Sequence, residues 1–213
     1  MSRIKERKQI IHEPSTQEIF RCLSDMPKWS ELLLTNGADK IYKPFLQWLI
    51  EVNFFNGRNE KRTVKQIATG FKTDTTKVTK WIHEIYDDIF ELNYDKPELF
   101  QTKGLNVSLH MNHYDNHCTF NISLPVLPRE FERFEFSFAA AKMGISFFWV
   151  KQVDYTVEQN QVSIGVKLEG GFVNKYREFV LDKALFQGWI DDMDVFHKHS
   201  FEIDNELVKL YPH

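Results

Sequence analysis

The spacing of the apolar residues changes near Asn93, and this change constrains the fold more than any other feature of the sequence. Up to that point apolar residues recur every three or four positions, which is the period of an amphipathic helix. Beyond it they alternate with polar residues, which is the period of a strand with one buried face. We predict an α+β protein, with a helical domain at residues 1–96 and a mainly antiparallel β domain with a short late helix at residues 97–213. The segment YDKPELFQTKG between Asn93 and Leu105 is interpreted as the linker, because it contains proline and ends in glycine.

The first domain is expected to be helical. The step from Met26 to Pro27 should separate two short helices, because proline lacks a backbone donor. A stripe of apolar residues predicts a buried helix at about residues 39–55. Two more helices follow, with Thr63 as the expected N-cap of the first and Asp74 or Thr75 as that of the second. We expect these helices to form a small bundle around Trp48 and Trp81.

The second domain should be built on two hairpins. Alternating residues predict one hairpin from 105–111 and 118–124, and another from 145–157 and 162–168. Between them the segment RFEFSF alternates like a strand, although the flanking Pro128 and Gly144 would also suit the two ends of a helix. We choose the strand. A further strand is expected at residues 176–181, and Asp182 should cap a short helix after it.

The charge of the chain is divided unevenly along the sequence. Residues 1–82 contain 15 Lys and Arg against 9 Asp and Glu, a net charge of +6. The remaining residues contain 12 against 21, a net charge of −9. A basic segment beside an acidic one favours a polyanion as partner of the first half. A chance difference between two solvated surfaces would give the same numbers.

Several classes of protein do not fit the sequence. The opening MSRIKERKQIIHE mixes charged with apolar residues and lacks the apolar core of a secretory signal. No window approaches the roughly 18 apolar residues of a membrane span. We therefore expect a cytoplasmic protein without a membrane partner. The two cysteines, Cys22 and Cys118, are expected to be free thiols rather than a disulfide.

Residues 63–90 predict two helices joined by a tight turn, a helix-turn-helix unit. Such a unit needs an apolar interface with a small residue where the helices cross, and Ala68 is suitable. The interface would be formed by Ile67, Phe71, Val78, Trp81 and Ile82. The second helix would then present its hydroxyl, ammonium and imidazole groups outward, and these groups suit phosphates and base edges.

With these apolar positions, residues 63–85 resemble the helix-turn-helix superfamily of bacterial and phage DNA-binding proteins. The resemblance implies that the first helix lies across the DNA backbone while the second enters the major groove. The sequence departs from the family pattern at the turn, where Lys72 and Thr73 stand in place of glycine and an apolar residue. A left-handed backbone at Lys72 would cost about 1 kcal/mol relative to glycine.

The expected partner is double-stranded DNA, bound by a homodimer that acts in transcription regulation or in the maintenance of a mobile element or plasmid. The residues expected to contact DNA are Arg62, Lys65, Thr75, Thr76, Lys77, Thr79, Lys80 and His83. Acidic residues follow from Glu84 onward, so the contact should be confined to the first two turns of the helix. The alternative is a non-enzymatic adaptor in which the helix-turn-helix is structural and the partner is a protein.

No catalytic activity, cofactor or metal is expected. His110, His113, Asp115 and His117 lie close in sequence and include types that ligate zinc, but their spacing matches no established zinc pattern. Exposed histidines on a hairpin are the commoner case. Asp191, Asp192 and Asp194 are interpreted as a solvated face. The sequence also contains no phosphate-binding loop, dinucleotide-binding glycine pattern or nucleophile elbow.

Overall fold

The protein is described by a computed structural model that covers residues 11–52, 54, 63–159, 161–198 and 200–211. The chain divides into two compact units, Met1–Gly171 and Phe172–His213. The predicted α+β class is confirmed, with helices first, then an antiparallel-rich sheet, then late helices.

Among the described residues, five α-helices precede the sheet of the first unit. They are α1 (Thr16–Asp25), α2 (Pro27–Asn36), α3 (Lys43–Glu51), α4 (Val64–Gly70) and α5 (Thr75–Asp95). Five strands follow: β1 (Leu105–His113), β2 (Asn116–Leu124), β3 (Arg133–Glu135), β4 (Phe147–Glu158) and β5 (Gln161–Gly170). The short helix α6 (Ala140–Met143) lies between β3 and β4. The second unit contains α7 (Lys175–Phe186), α8 (Asp192–His197) and α9 (Ser200–Leu210).

The predicted N-caps Thr63 and Asp74 are confirmed. The Thr63 hydroxyl accepts a hydrogen bond from the backbone N–H of Gln66, while the Gln66 side chain accepts one from the backbone of Thr63. Asp74 caps α5 by accepting from the backbone N–H of Lys77 at 2.8 Å. Proline occupies the first turn of α2, so the break after Met26 is also confirmed. Helix α3 is shorter than predicted, and the end of the predicted stretch, residues 53 and 55, lies outside the described residues.

Both predicted hairpins are confirmed, and they join into one sheet with the order β2-β1-β5-β4-β3. The hairpins meet through a parallel pairing of β1 with β5. The strand predicted in RFEFSF covers only its first residues, because Phe136 and Phe138 both enter the core and the chain turns into Ser137–Ala139 and α6. Gly144, at φ 74°, ends α6.

The strand predicted at residues 176–181 is wrong, since this segment belongs to helix α7. Its N-cap is Asn174, which accepts from the backbone N–H of Arg177 at 3.1 Å, whereas Asp182 lies inside the helix. The helical period could not be recognised in the sequence, because apolar residues occur on more than one side of α7 and do not form a single stripe.

The predicted boundary near residue 96 differs from the structure, which divides the chain after Gly171. The helices and the sheet share one core. Trp29 of α2 stacks on Phe120 of β2 with ring centroids 4.7 Å apart, and Phe90 of α5 lies 5.4 Å from Phe138. Phe100, in the predicted linker, is buried in the same core. The linker is therefore part of the packed unit.

Candidate nucleic-acid interface

Helices α4 and α5 are joined by the four residues 71–74 and pack through a buried apolar interface. Ile67 and Ala68 of α4 are buried against the core, as are Val78 and Ile82 of α5. The small residue Ala68 is therefore buried on the inner face of α4.

An aromatic cluster supports the turn between the two helices. Phe45 of α3 is fully buried, and its ring lies 5.2 Å from Phe71 and 5.4 Å from Trp81. Trp48 is 5.5 Å from Phe71. The bundle predicted around Trp48 and Trp81 is therefore present, with Phe45 at its centre and the two tryptophans partly buried around it.

The turn between α4 and α5 contains a residue in the left-handed conformation. Lys72 has φ 56°. The backbone N–H of Thr73 donates to the carbonyl of Ala68 at 2.9 Å, and that of Lys72 donates to Thr69 at 3.2 Å. These two bonds satisfy carbonyls at the end of α4 in the pattern of a Schellman motif. The turn is thus closed by backbone hydrogen bonds although it lacks glycine.

The predicted DNA-contacting residues differ in their exposure. Lys65, Thr75, Thr76, Lys77 and Lys80 are exposed, while Thr79 and His83 are half-buried. Arg62 lies outside the described residues. The exposed members on α5 all belong to its first two turns, so the polar surface is narrower than the sequence predicted.

The lysines of this surface form only weak ion pairs with neighbouring carboxylates. Lys77 Nζ lies 3.5 Å from a carboxylate oxygen of Asp74, and Lys80 Nζ lies 3.6 Å from one of Glu84. Exposed pairs of this kind contribute little to stability, so their lysines can exchange partners at small cost. The backbone hydrogen bond from Lys77 lowers the pKa of Asp74, which remains a carboxylate. Because Asp74 occupies the N-terminus of α5, an anion here would be held by side chains.

The acidic residues further along α5 are engaged with the rest of the first unit. Asp88 accepts a hydrogen bond from the hydroxyl of Tyr42 and lies 3.3 Å from Lys40 Nζ. Asp87 lies 3.8 Å from Lys142 Nζ. The reversal of charge along α5 therefore coincides with the point at which the helix enters contacts with other elements.

His83 contacts helix α1 instead of standing alone on the outer face. Its Nε2 lies 3.4 Å from the hydroxyl of Thr16. It also lines a cavity of about 340 Å³ together with His12, Asp87 and Lys142. Sequence reasoning missed this neighbour, because helical spacing shows which residues share a face but not which other helix covers it.

The second half of α5 is fixed to the rest of the first unit by two polar residues, of which Tyr86 bonds to the segment Ser137–Ala139 and Asn93 bonds to strand β2. The hydroxyl of Tyr86, which is 2% exposed, donates to the carbonyl of Phe138 at 2.7 Å. The Asn93 side chain, in a residue 1% exposed, donates to the carbonyl of Asn121 at 2.8 Å and accepts from its N–H at 2.7 Å. The sequence feature that could have indicated these contacts is the presence of a tyrosine and an asparagine, seven residues apart, within an apolar stripe. These contacts fix the second half of α5, and the exposed first two turns continue the same helix.

The hairpin histidines are held by protein groups. His110 Nδ1 lies 3.2 Å from the Thr119 hydroxyl, and His113 Nδ1 lies 2.9 Å from the carbonyl of Met143. Within the described part of the chain, no group of three His, Cys, Asp or Glu side chains is arranged to hold a metal ion. Asp191 caps α8 by accepting from the backbone N–H of Met193.

Comparison of the chain with protein-family models, curated proteins and solved structures found no match. Among the helices of the described residues, none is both long and apolar enough to cross a membrane.

Proposed function

We propose that the protein binds double-stranded DNA through the first two turns of α5, with α4 and α5 acting as a helix-turn-helix. One observation carries the proposal. Thr75, Thr76, Lys77 and Lys80 are exposed at the leading end of a 21-residue helix whose second half is anchored to the sheet. The major groove is about 12 Å wide and admits a helix of this kind. Because the second half of the helix is anchored, its exposed end can enter the groove and remain helical.

Each exposed group has a natural partner on the duplex. The ammonium groups of Lys65, Lys77 and Lys80 suit phosphates, whereas the hydroxyls of Thr75 and Thr76 can reach phosphates or base edges. Three phosphate contacts would give a slope of about −2.7 in a plot of log affinity against log salt concentration. Affinity should then fall about 40-fold between 50 and 200 mM salt.

A single copy with so few contacts would bind in the range of non-specific DNA binding. Specific recognition would follow from a homodimer that presents two recognition helices about 34 Å apart, on successive turns of the duplex. In this proposal the protein serves transcription regulation or the maintenance of a mobile element or plasmid.

The test is a titration of labelled mixed-sequence duplex with the native protein and two double variants. Lys77→Glu with Lys80→Glu should abolish measurable binding and the salt dependence. The control, Lys151→Glu with Lys167→Glu, changes the net charge equally at two exposed lysines of the sheet, which lie 3.7 Å from Glu169 and 3.3 Å from Asp154. It should weaken binding only slightly.

Equal loss in both variants would show that only net charge matters, and absence of binding by the native protein would overturn the proposal. In the second case an adaptor that binds another protein becomes the better interpretation. The large apolar side chains exposed in the second unit, including Phe186 and Trp189, favour that alternative.

A further inference from the structure

The two lysines at the exposed end of α5 are paired with carboxylates of different kinds. Asp74, beside Lys77, also accepts a hydrogen bond from the backbone N–H of that residue at 2.8 Å, so its carboxylate is committed to capping the helix. Glu84 lies within the helix, where no cap is needed, and its carboxylate oxygen is 3.6 Å from Lys80 Nζ. The carboxylate of Glu84 is therefore the one that can accept from a further donor.

Lys80 and Glu84 both point away from the core of the first unit. Val78 and Ile82, two positions before and after Lys80, are fully buried. A helix turns by about 100° per residue, so side chains two positions apart point in nearly opposite directions. Glu84 follows Lys80 by four residues and lies on the same face. The side chain of Lys80 is 73% exposed and that of Glu84 is 41% exposed.

The Glu84 carboxylate lies closer to the start of α5 than its position in the sequence suggests. Helical side chains lean towards the N-terminus of their helix and cover the preceding turn. The carboxylate of Glu84 therefore lies over the second turn, beside Lys80, within the part of α5 that we place in the major groove. It would repel phosphates there, so the partner that suits it on the duplex is a donor on a base edge.

We propose that Lys80 and Glu84 together recognise one G·C base pair in the major groove, as a refinement that rests on the DNA binding proposed above. Guanine presents two acceptors there, O6 and N7, which suit an ammonium group, and cytosine presents the N4 donor, which suits a carboxylate. The O6 and N4 atoms of one pair are joined by a hydrogen bond and are about 2.9 Å apart. Lys80 Nζ and the Glu84 oxygen, 3.6 Å apart, match that separation closely.

An A·T pair fits this arrangement less well. On its adenine the N7 acceptor stands beside the N6 donor, and on its thymine the O4 acceptor stands beside a methyl group. The ammonium group of Lys80 would therefore meet one acceptor on adenine instead of the two on guanine. Because the contact of Glu84 with phosphates is repulsive, this residue contributes to the choice of base and lowers the affinity for DNA in general.

The role of Lys80 then depends on the DNA sequence. On mixed-sequence duplex its ammonium group faces a phosphate, together with those of Lys65 and Lys77. At a matched site Lys80 contacts the base edge, and two phosphate contacts remain. The slope of log affinity against log salt concentration should therefore be about −1.8 at a matched site.

Selection of bound duplexes from a randomised pool, followed by titration of the enriched sequence, tests the proposal. The native protein should enrich a G·C pair at one position, and an A·T pair placed there should weaken binding about tenfold. Glu84→Ala should reduce this ratio to about threefold or less, and should bind mixed-sequence duplex about two- to fivefold more tightly. The control, Glu91→Ala, removes the same charge from an exposed position two turns further along α5 and should keep the tenfold ratio.

Exchange of the two charges tests the direction of the contact. Lys80→Glu with Glu84→Lys leaves the net charge unchanged but exchanges donor and acceptor, so it should select cytosine on the strand where the native protein selects guanine. Selection of the original orientation by this variant, or an unchanged ratio in Glu84→Ala, would overturn the proposal. Binding of DNA by the native protein without a preference for G·C would overturn it as well, while leaving the proposed DNA binding intact. Absence of any binding by the native protein would instead overturn both.

Discussion

Replacement of Lys72 by glycine should stabilise the protein, although it removes a side chain. Lys72 lies at φ 56°, in the left-handed region. A side chain there costs about 1–2 kcal/mol, because Cβ approaches the following carbonyl oxygen. Glycine avoids this cost but loses about 0.5–1 kcal/mol more conformational freedom on folding. The net gain should be about 0.5–1 kcal/mol, provided that the two backbone hydrogen bonds of the turn persist, as the exposed side chain takes no part in them.

Thermal and urea unfolding of Lys72→Gly, beside two control variants, measure this gain. For a chain of this size the melting temperature should rise by about 1–4 °C. Lys72→Ala removes the charge but keeps Cβ, so its stability should stay within about 0.5 kcal/mol of the native value. Lys80→Gly places glycine inside α5 and should destabilise by about 1 kcal/mol. If Lys72→Gly is no more stable than Lys72→Ala, the strain assigned to the turn is absent.

Two further predictions concern the core. Asn93→Ala should lower the free energy of unfolding by about 2–4 kcal/mol in urea titrations, because the N–H and carbonyl of Asn121 both lose their partner; an unchanged midpoint would contradict the anchoring of α5 to the sheet. Burial raises the pKa of Cys22 to about 11 and that of Cys118 to about 12. Both thiols should therefore react with iodoacetamide at pH 8 only after unfolding, and rapid labelling of the native protein would refute their burial. Because unfolded thiols lose their protons near pH 8.5 and the folded ones retain them, stability should fall as the pH rises above that value.

Features that depend on neighbouring residues could be predicted from the sequence. Thr63 and Asp74 cap their helices through side chains that reach only three residues along the chain. The position of the turn between two apolar stripes was also apparent, and Lys72 within that turn is left-handed. Both hairpins follow from alternation and from short turns. Local backbone geometry limits each of these features to few alternatives, so periodicity and turn length are sufficient.

Contacts between distant segments could not be predicted in the same way. The parallel pairing of β1 with β5 joins two hairpins that each read as independent units. His83 was assigned to the outer surface because only its own helix was considered, whereas Thr16 lies 67 residues away. The same holds for α7, where exposed apolar residues such as Phe179 and Phe186 accompany the buried face and reduce the helical contrast of the sequence.

The change of period near Asn93 was determined by the sequence alone, and it separates helices α1 to α5 from strands β1 and β2, which follow them. Whether that change also separates two domains was decided by the tertiary structure. The apolar faces of the helices and of the sheet each need a partner, and they bury each other in one core, where Asn93 itself bonds to β2. A pattern within one segment shows that a face must be covered; only packing selects the segment that covers it.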